Sequence, residues 1–170
     1  IGVTLADLLE KLQRHKEALS VLRQHAELLP NASVSVEARS ARLYHKTGRD
    51  DLALSVLRRL WGRNSNLMDD NTLCLLAELE HLSGKDDPAI AACILALKRN
   101  ERHPHANYLM GILLQKKGEL REALDHLKRA SKTILSPSLM PDCLERIRAI
   151  QAEIGLDPEK SAVPAPPAPE

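Results

Sequence analysis

Aromatic side chains are almost missing from this chain: among its 170 residues there is no phenylalanine, one tryptophan and two tyrosines. Sheets rely on aromatic and β-branched residues to pack their pleated faces, so a chain rich in Leu, Ala, Glu, Lys and Arg instead points towards helices. Strand-type alternation is absent as well. No apolar run approaches the roughly 18–20 residues that a membrane helix needs, and the first residues lack a basic stretch followed by an apolar core; membrane insertion is not expected, and a soluble, cytoplasmic protein is. An excess of either charge is missing too. With 24 basic and 23 acidic residues the net charge is +1, which provides no global field for nucleic acid or anionic lipid. Cys74, Cys93 and Cys143 lie far apart with no C-x-x-C pair and no Cys/His metal spacing, so buried thiols are expected rather than a redox or metal site.

What the chain does have is a repeat. The segments KLQRHKEALSVL, YHKTGRDDLALSVL, HLSGKDDPAIAACI and LQKKGELREALDHL align on Ala18, Ala53, Ala89 and Ala123, at intervals of 35, 36 and 34 residues. That is the period of a helix-turn-helix unit. Five residues before each alanine stand Gln13, Gly48, Gly84 and Gly118, where glycine can adopt the left-handed conformation that ends a helix; Gln13 departs from the pattern. Twelve residues before each alanine a small residue recurs as Ala6, Ala41, Ala77 and Gly111, allowing the first helix of each pair to approach the second. Leu22, Leu57, Cys93 and Leu127 follow four residues after each alanine, and His25, Leu60, Ala96 and Ala130 seven after it, on one helical face. Pro30, Pro88, Pro104 and Pro137 fall where helices start or stop.

These spacings resemble the tetratricopeptide-repeat family, most closely in NYLMGILLQKKGELREALDHLKRA. The resemblance covers about residues 1–135 and implies an all-α, right-handed superhelix (α-solenoid) of about four helical hairpins, whose concave face binds an extended peptide or a helix. Repeats are expected at about 1–32, 33–68, 69–102 and 103–136, with helices near 1–12, 15–28, 35–47, 50–63, 70–83, 86–99, 104–117 and 120–132. The large aromatic that the family carries early in each first helix is replaced by Gly2, Glu37, Leu73 and Asn107. After the repeats, Met140, Cys143, Leu144, Ile147, Ile150 and Ile154 recur at helical spacing before Gly155, predicting a capping helix over 138–155 that closes the last apolar face. The repeat domain thus spans 1–156, and the Pro/Ala-rich 157–170 reads as a disordered tail.

No catalytic constellation emerges. The seven histidines form no H-E-x-x-H pair, and there is no G-x-S-x-G and no phosphate-cradling glycine loop. The chain therefore reads as a non-enzyme without metal or cofactor, working as a protein-interaction scaffold or adaptor for a protein or peptide partner. The candidate groove consists of first-helix positions around the small residue: Arg39, Arg42 and His45, then Cys74, Glu78 and His81, then Tyr108, Ile112 and Gln115. The arginines suit a partner carboxylate, and Tyr108 with Ile112 suits an apolar anchor; Tyr108 packing on the capping helix is the alternative. Family members that bind acidic chaperone C-termini carry a clamp of Lys, Asn and Arg, but the matching positions here hold Val3, Asp7, Arg39, Asn71 and Leu75, or, one repeat later, Ala38, Arg42, Leu75, His105 and Leu109. Neither set builds it. A small secretion-type chaperone shielding an apolar segment, and a structural spacer that self-associates, are the other functional readings. The basic clusters at Arg58–Arg63 and Lys98–His103 are expected to complement helix dipoles, with Arg58 outside the site, and Trp61 to cover a seam between hairpins.

Overall fold

The computed structural model describes residues 2–28, 34–133 and 136–155. The expected tail at 157–170, Pro30 and the side chains of Val3 and His25 lie outside what it describes. Among the described residues there are nine α-helices: α1 (Gly2–Lys11), α2 (His15–Leu28), α3 (Val34–Lys46), α4 (Asp50–Asn64), α5 (Asp70–Leu82), α6 (Asp86–Arg99), α7 (Pro104–Lys117), α8 (Leu120–Ser131) and α9 (Met140–Glu153). A single 3₁₀ turn, Ser65–Leu67, follows α4. The chain divides into two compact units, Ile1–Ser83 and Gly84–Glu170. In the first, α1 packs on α2, α2 on α3, α3 on α4 and α4 on α5. In the second, α6 packs on α7, α7 on α8 and α8 on α9.

The register read from the repeat is the register of the core. Ala18, Ala53, Ala89 and Ala123 are fully buried, as are Ala6, Ala41 and Ala77 and the following series Leu22, Leu57, Cys93 and Leu127. Gly48, Gly84 and Gly118 have φ of 71°, 79° and 80°. Gln13, at the same place in the first repeat, also takes a positive φ, 59°; a turn of this shape is needed to bring α2 back onto α1, and Gln13 adopts it although its Cβ makes that conformation costly.

Polar side chains complete the helix ends. The Asp69 carboxylate accepts from the Thr72 backbone N–H at 2.8 Å and caps α5. His103 Nδ1 accepts from the Ala106 backbone N–H at 3.2 Å and caps α7, which gives one of the turn histidines flanking Pro104 a structural task.

Two of the slots from which the family's aromatic is missing hold buried polar groups, each of which meets a side chain of the second helix of its own hairpin. Glu37 on α3 is 8% exposed and accepts from Arg59 Nη2 at 3.0 Å and Arg63 Nη1 at 2.6 Å, both on α4. Asn107 on α7 is fully buried. Its Nδ2 donates to the carbonyls of Glu101 (2.8 Å) and His103 (3.0 Å), so its Oδ1 is the acceptor left for His126 Nδ1–H of α8, 2.9 Å away. That contact assigns the protonated nitrogen of the neutral ring.

Burial, with a smaller contribution from Arg129, holds the His126 imidazole below its ordinary 6.5. A depressed folded value means that the unfolded chain binds the proton more readily. The stability tied to this site is therefore complete above about pH 6.5 and is lost as pH falls through the folded value. Denaturant midpoints measured at pH 7.5 and 5.0 should show a drop for the wild type that is smaller in His126→Gln, whose amide keeps a donor for Asn107 but does not titrate. Equal drops would place the pH sensitivity elsewhere.

Candidate interaction surface

Arg39 stands by itself two residues before Ala41, and helical geometry sorts the other eight of the nine candidate residues into rows that share an offset from the small residue of each first helix. Arg42, Glu78 and Ile112 stand one residue after it, and His45, His81 and Gln115 four after it; all six are partly exposed. The row three residues before it is different. Ala38, Cys74 and Tyr108 are buried, at 1%, 1% and 7% exposure. Cys74 is thus a core thiol with no surface to offer a partner, since its row turns inward with the small residue rather than outward with the half-open rows.

Tyr108 is likewise taken into its own unit. Its hydroxyl donates to Asp142 Oδ2 of α9 at 2.6 Å, its ring stacks on His105 with centroids 6.5 Å apart, and Arg146 of α9 ties Asp142 (2.6 Å) to Gln115 Oε1 (2.9 Å). Burial works against the Asp142 carboxylate, yet hydrogen bonds from Arg146 and Tyr108 outweigh it and hold the group below the usual range. Burial and the Asp142 contact together push the Tyr108 phenol up. The network docks α9 onto α7, and Tyr108 with Gln115 are its anchors.

In the first unit the charged candidates form a ladder. Arg39 is ion-paired with Asp7 and Glu10 of α1, and Lys46 reaches Glu10 at 3.1 Å. Arg42 meets Asp69 Oδ2 at 3.2 Å and Thr72 Oγ1 at 3.3 Å. His45 Nδ1 lies 2.8 Å from Asp50. Arg39 is pinned by two carboxylates, whereas Arg42 makes long contacts to an exposed partner, its side chain being 36% exposed and that of Asp69 54%. Such a pair contributes little to stability and exchanges readily for another carboxylate.

The arginines of α4 do more than complement a dipole. Arg58 forms a bidentate pair with Glu80 of α5, 2.7 and 2.6 Å, and the Glu80 side chain is 4% exposed. With Arg59 and Arg63 on Glu37, this cluster is committed to buried carboxylates, and Arg58 is a structural residue rather than a neutral surface position. Trp61 is half-buried.

Burial pushes the Cys93 thiol up to about 12, and burial with Asp142 pushes that of Cys143 up to about 11. Among the described residues no group of three His, Cys, Asp or Glu side chains could hold a metal ion, and no helix is long and apolar enough to cross a membrane. Open clefts of about 420 Å³ (Lys16, Leu19, Ser20, Thr47, Arg49) and about 390 Å³ (Arg121, Leu124, Asp125, Lys128, Ile154) lie away from the candidate residues.

No protein-family model matches the sequence, and no curated protein matches it. Solved structures do. YrrB, a TPR protein with an unusual peptide-binding site, aligns with a TM-score of 0.74 at 16% identity, over 91% of this chain and 76% of that one. MamA aligns with a TM-score of 0.73 at 16% identity, over 89% and 85%. The C-terminal part of a TPR repeat-containing protein from Cytophaga hutchinsonii aligns with a TM-score of 0.68 at 18% identity, over 90% of this chain and 58% of that one. With the alanine register, the glycine turns and the paired helices all in place, the fold of this chain is that of the tetratricopeptide-repeat proteins.

Proposed function

We propose that the chain is a protein-interaction scaffold, without catalytic activity of its own, and that it holds an acidic peptide or helix of a partner on the half-open rows of α3 and α5. The observation that carries this reading is the state of Arg42: a guanidinium already oriented by Asp69 and Thr72, partly exposed, and in contacts long enough to be exchanged. His45, Glu78 and His81 share its rows and are partly exposed, giving a mixed polar surface on which a carboxylate supplies orientation and neighbouring groups supply selectivity. The peptide-binding site of YrrB, a structure of the same fold, supports this class of function by analogy.

The test begins with cross-linking to the wild-type chain in its native extract, and continues by calorimetry with the partner so identified. Arg42→Ala combined with His81→Ala should weaken binding at least about tenfold, because interface energy concentrates in a few oriented groups. Leu67→Ala, at an exposed position in the turn after α4, should leave it within a factor of about two. The reverse pattern would move the site off α3 and α5.

A further inference from the structure

Five residues after the small residue of each first helix the chain carries lysine in three repeats and leucine in one: Lys11, Lys46, Leu82 and Lys116. Two of these lysines answer a carboxylate of an earlier helix, Lys46 with Glu10 of α1 at 3.1 Å and Lys116 with Asp86 of α6 at 2.6 Å. Glu10 stands four residues after Ala6, so the register gives His45 and Leu82 the places that Glu10 and Lys46 hold one hairpin earlier. No ion pair can form on that rung. His45 turns to Asp50 at 2.8 Å instead, and Leu82 is 68% exposed. An exposed leucine by itself says little. This one interrupts a row of charges, and at that exposure it adds little to the core, so folding does not account for the departure from lysine.

Leu82 also stands on the surface proposed for a partner. It lies one turn beyond Glu78, in line with the row that Arg42 begins on α3. Arg42 is held by Thr72 near the start of α5, and Leu82 ends that helix. Ten positions separate Thr72 from Leu82, about 15 Å along the axis. Between them the row offers Glu78 and His81, polar and partly exposed, so a partner helix lying here would find no apolar groove to fill. An extended chain, at about 3.3 Å per residue, reaches from one end to the other in four or five residues.

Resting on the reading of Arg42 as a carboxylate site, we infer that Leu82 is a specificity-determining residue of the same surface: the partner segment is extended and carries a large apolar side chain four or five residues from its acidic one. Arg42 recognises the charge, which many segments share, and Leu82 selects among them by the apolar area it removes from water.

Display of random dodecapeptides against the immobilised wild-type chain, with Leu82→Lys as the comparison, tests this. Lysine holds this place in the other three repeats and the position is exposed, so the variant should keep its helical circular dichroism spectrum. Wild-type selections should enrich Asp or Glu with Leu, Ile, Met or Phe four or five residues away. Leu82→Lys selections should keep the acidic residue and replace the apolar one with a second acid. By calorimetry, a peptide enriched on the wild type should bind Leu82→Lys at least about tenfold more weakly, and Leu67→Lys, exposed but off the row, within a factor of about two. Acidic peptides with no apolar residue at that spacing, or a peptide whose affinity Leu82→Lys leaves unchanged, would overturn the inference and leave the reading of Arg42 standing. Wild-type selections without an acidic residue would overturn both.

Discussion

Replacing Gly111 with alanine is expected to destabilise the α7–α8 hairpin by about 2 kcal/mol, even though alanine is the better helix former by about 1 kcal/mol. A Cβ at this position would sit 2.5 Å from Leu127 Cγ, 2.8 Å from Leu127 Cδ2 and 3.2 Å from the carbonyl oxygen of Ala123. Leu127 is fully buried and cannot swing into solvent, and a backbone oxygen does not yield, so the helices must part. Each other repeat keeps an alanine here, at Ala6, Ala41 and Ala77; the fourth has closed the gap to where only glycine fits. Leu127→Ala alone should cost about 3 kcal/mol through the cavity it leaves. The decisive measurement is the double variant. Alanine at 111 fills part of the space that Leu127 vacates, so the pair should cost at least about 1 kcal/mol less than the two single changes added together. Strict additivity in denaturant unfolding would mean that the contact between these two residues is not what sets the helix spacing.

The helices were readable because two independent signals agree at three of the four hairpin turns, an inward alanine at a fixed offset and a glycine five positions earlier; the first turn, at Gln13, was placed by the alanine period alone. Predicted and observed boundaries fall within a residue or two throughout, as for 35–47 against Val34–Lys46 and 86–99 against Asp86–Arg99. The candidate surface was legible only by rows. Offsets separate the half-open positions 42, 45, 78, 81, 112 and 115 from the inward row of Cys74 and Tyr108, but periodicity says nothing about which side chain meets which. The ion pairs of Glu37 and Glu80 span 22 or more residues and belong to tertiary packing. A signal for them was nonetheless present. Glu37 and Asn107 occupy a slot that holds Leu73 in the third repeat, and a polar group in an apolar slot requires a partner across the hairpin. Tyr108 packing on the capping helix is one of the two readings open for that residue, but its partners Asp142, Arg146 and Gln115 had no such signal, because the capping helix lies outside the repeat and has no register to share with it.

Glu80 gives the sharpest case of a polar residue in an apolar slot, and the two ways of breaking its pair should have opposite effects. At the corresponding position the other repeats carry Leu9, Tyr44 and Leu114, all buried, so the slot itself asks for an apolar side chain. Arg58→Ala removes both short hydrogen bonds, 2.7 and 2.6 Å, from a carboxylate whose side chain is 4% exposed. Because Arg58 itself is 42% exposed, water replaces part of what is lost, and the expected cost is about 2 kcal/mol rather than the 3–5 kcal/mol typical of a fully buried pair. Glu80→Leu removes the buried charge, supplies the side chain found in the first and fourth repeats, and releases Arg58 to solvent; its expected effect is between neutral and about 1 kcal/mol of stabilisation. In the Glu80→Leu background Arg58→Ala should then cost less than about 0.5 kcal/mol, since the guanidinium no longer has a buried carboxylate to serve. Thermal and denaturant unfolding of the four proteins decides the matter. If Glu80→Leu is as damaging as Arg58→Ala, the pair is a net source of stability at the α4–α5 contact, and the apolar pattern of the other repeats does not transfer to this one.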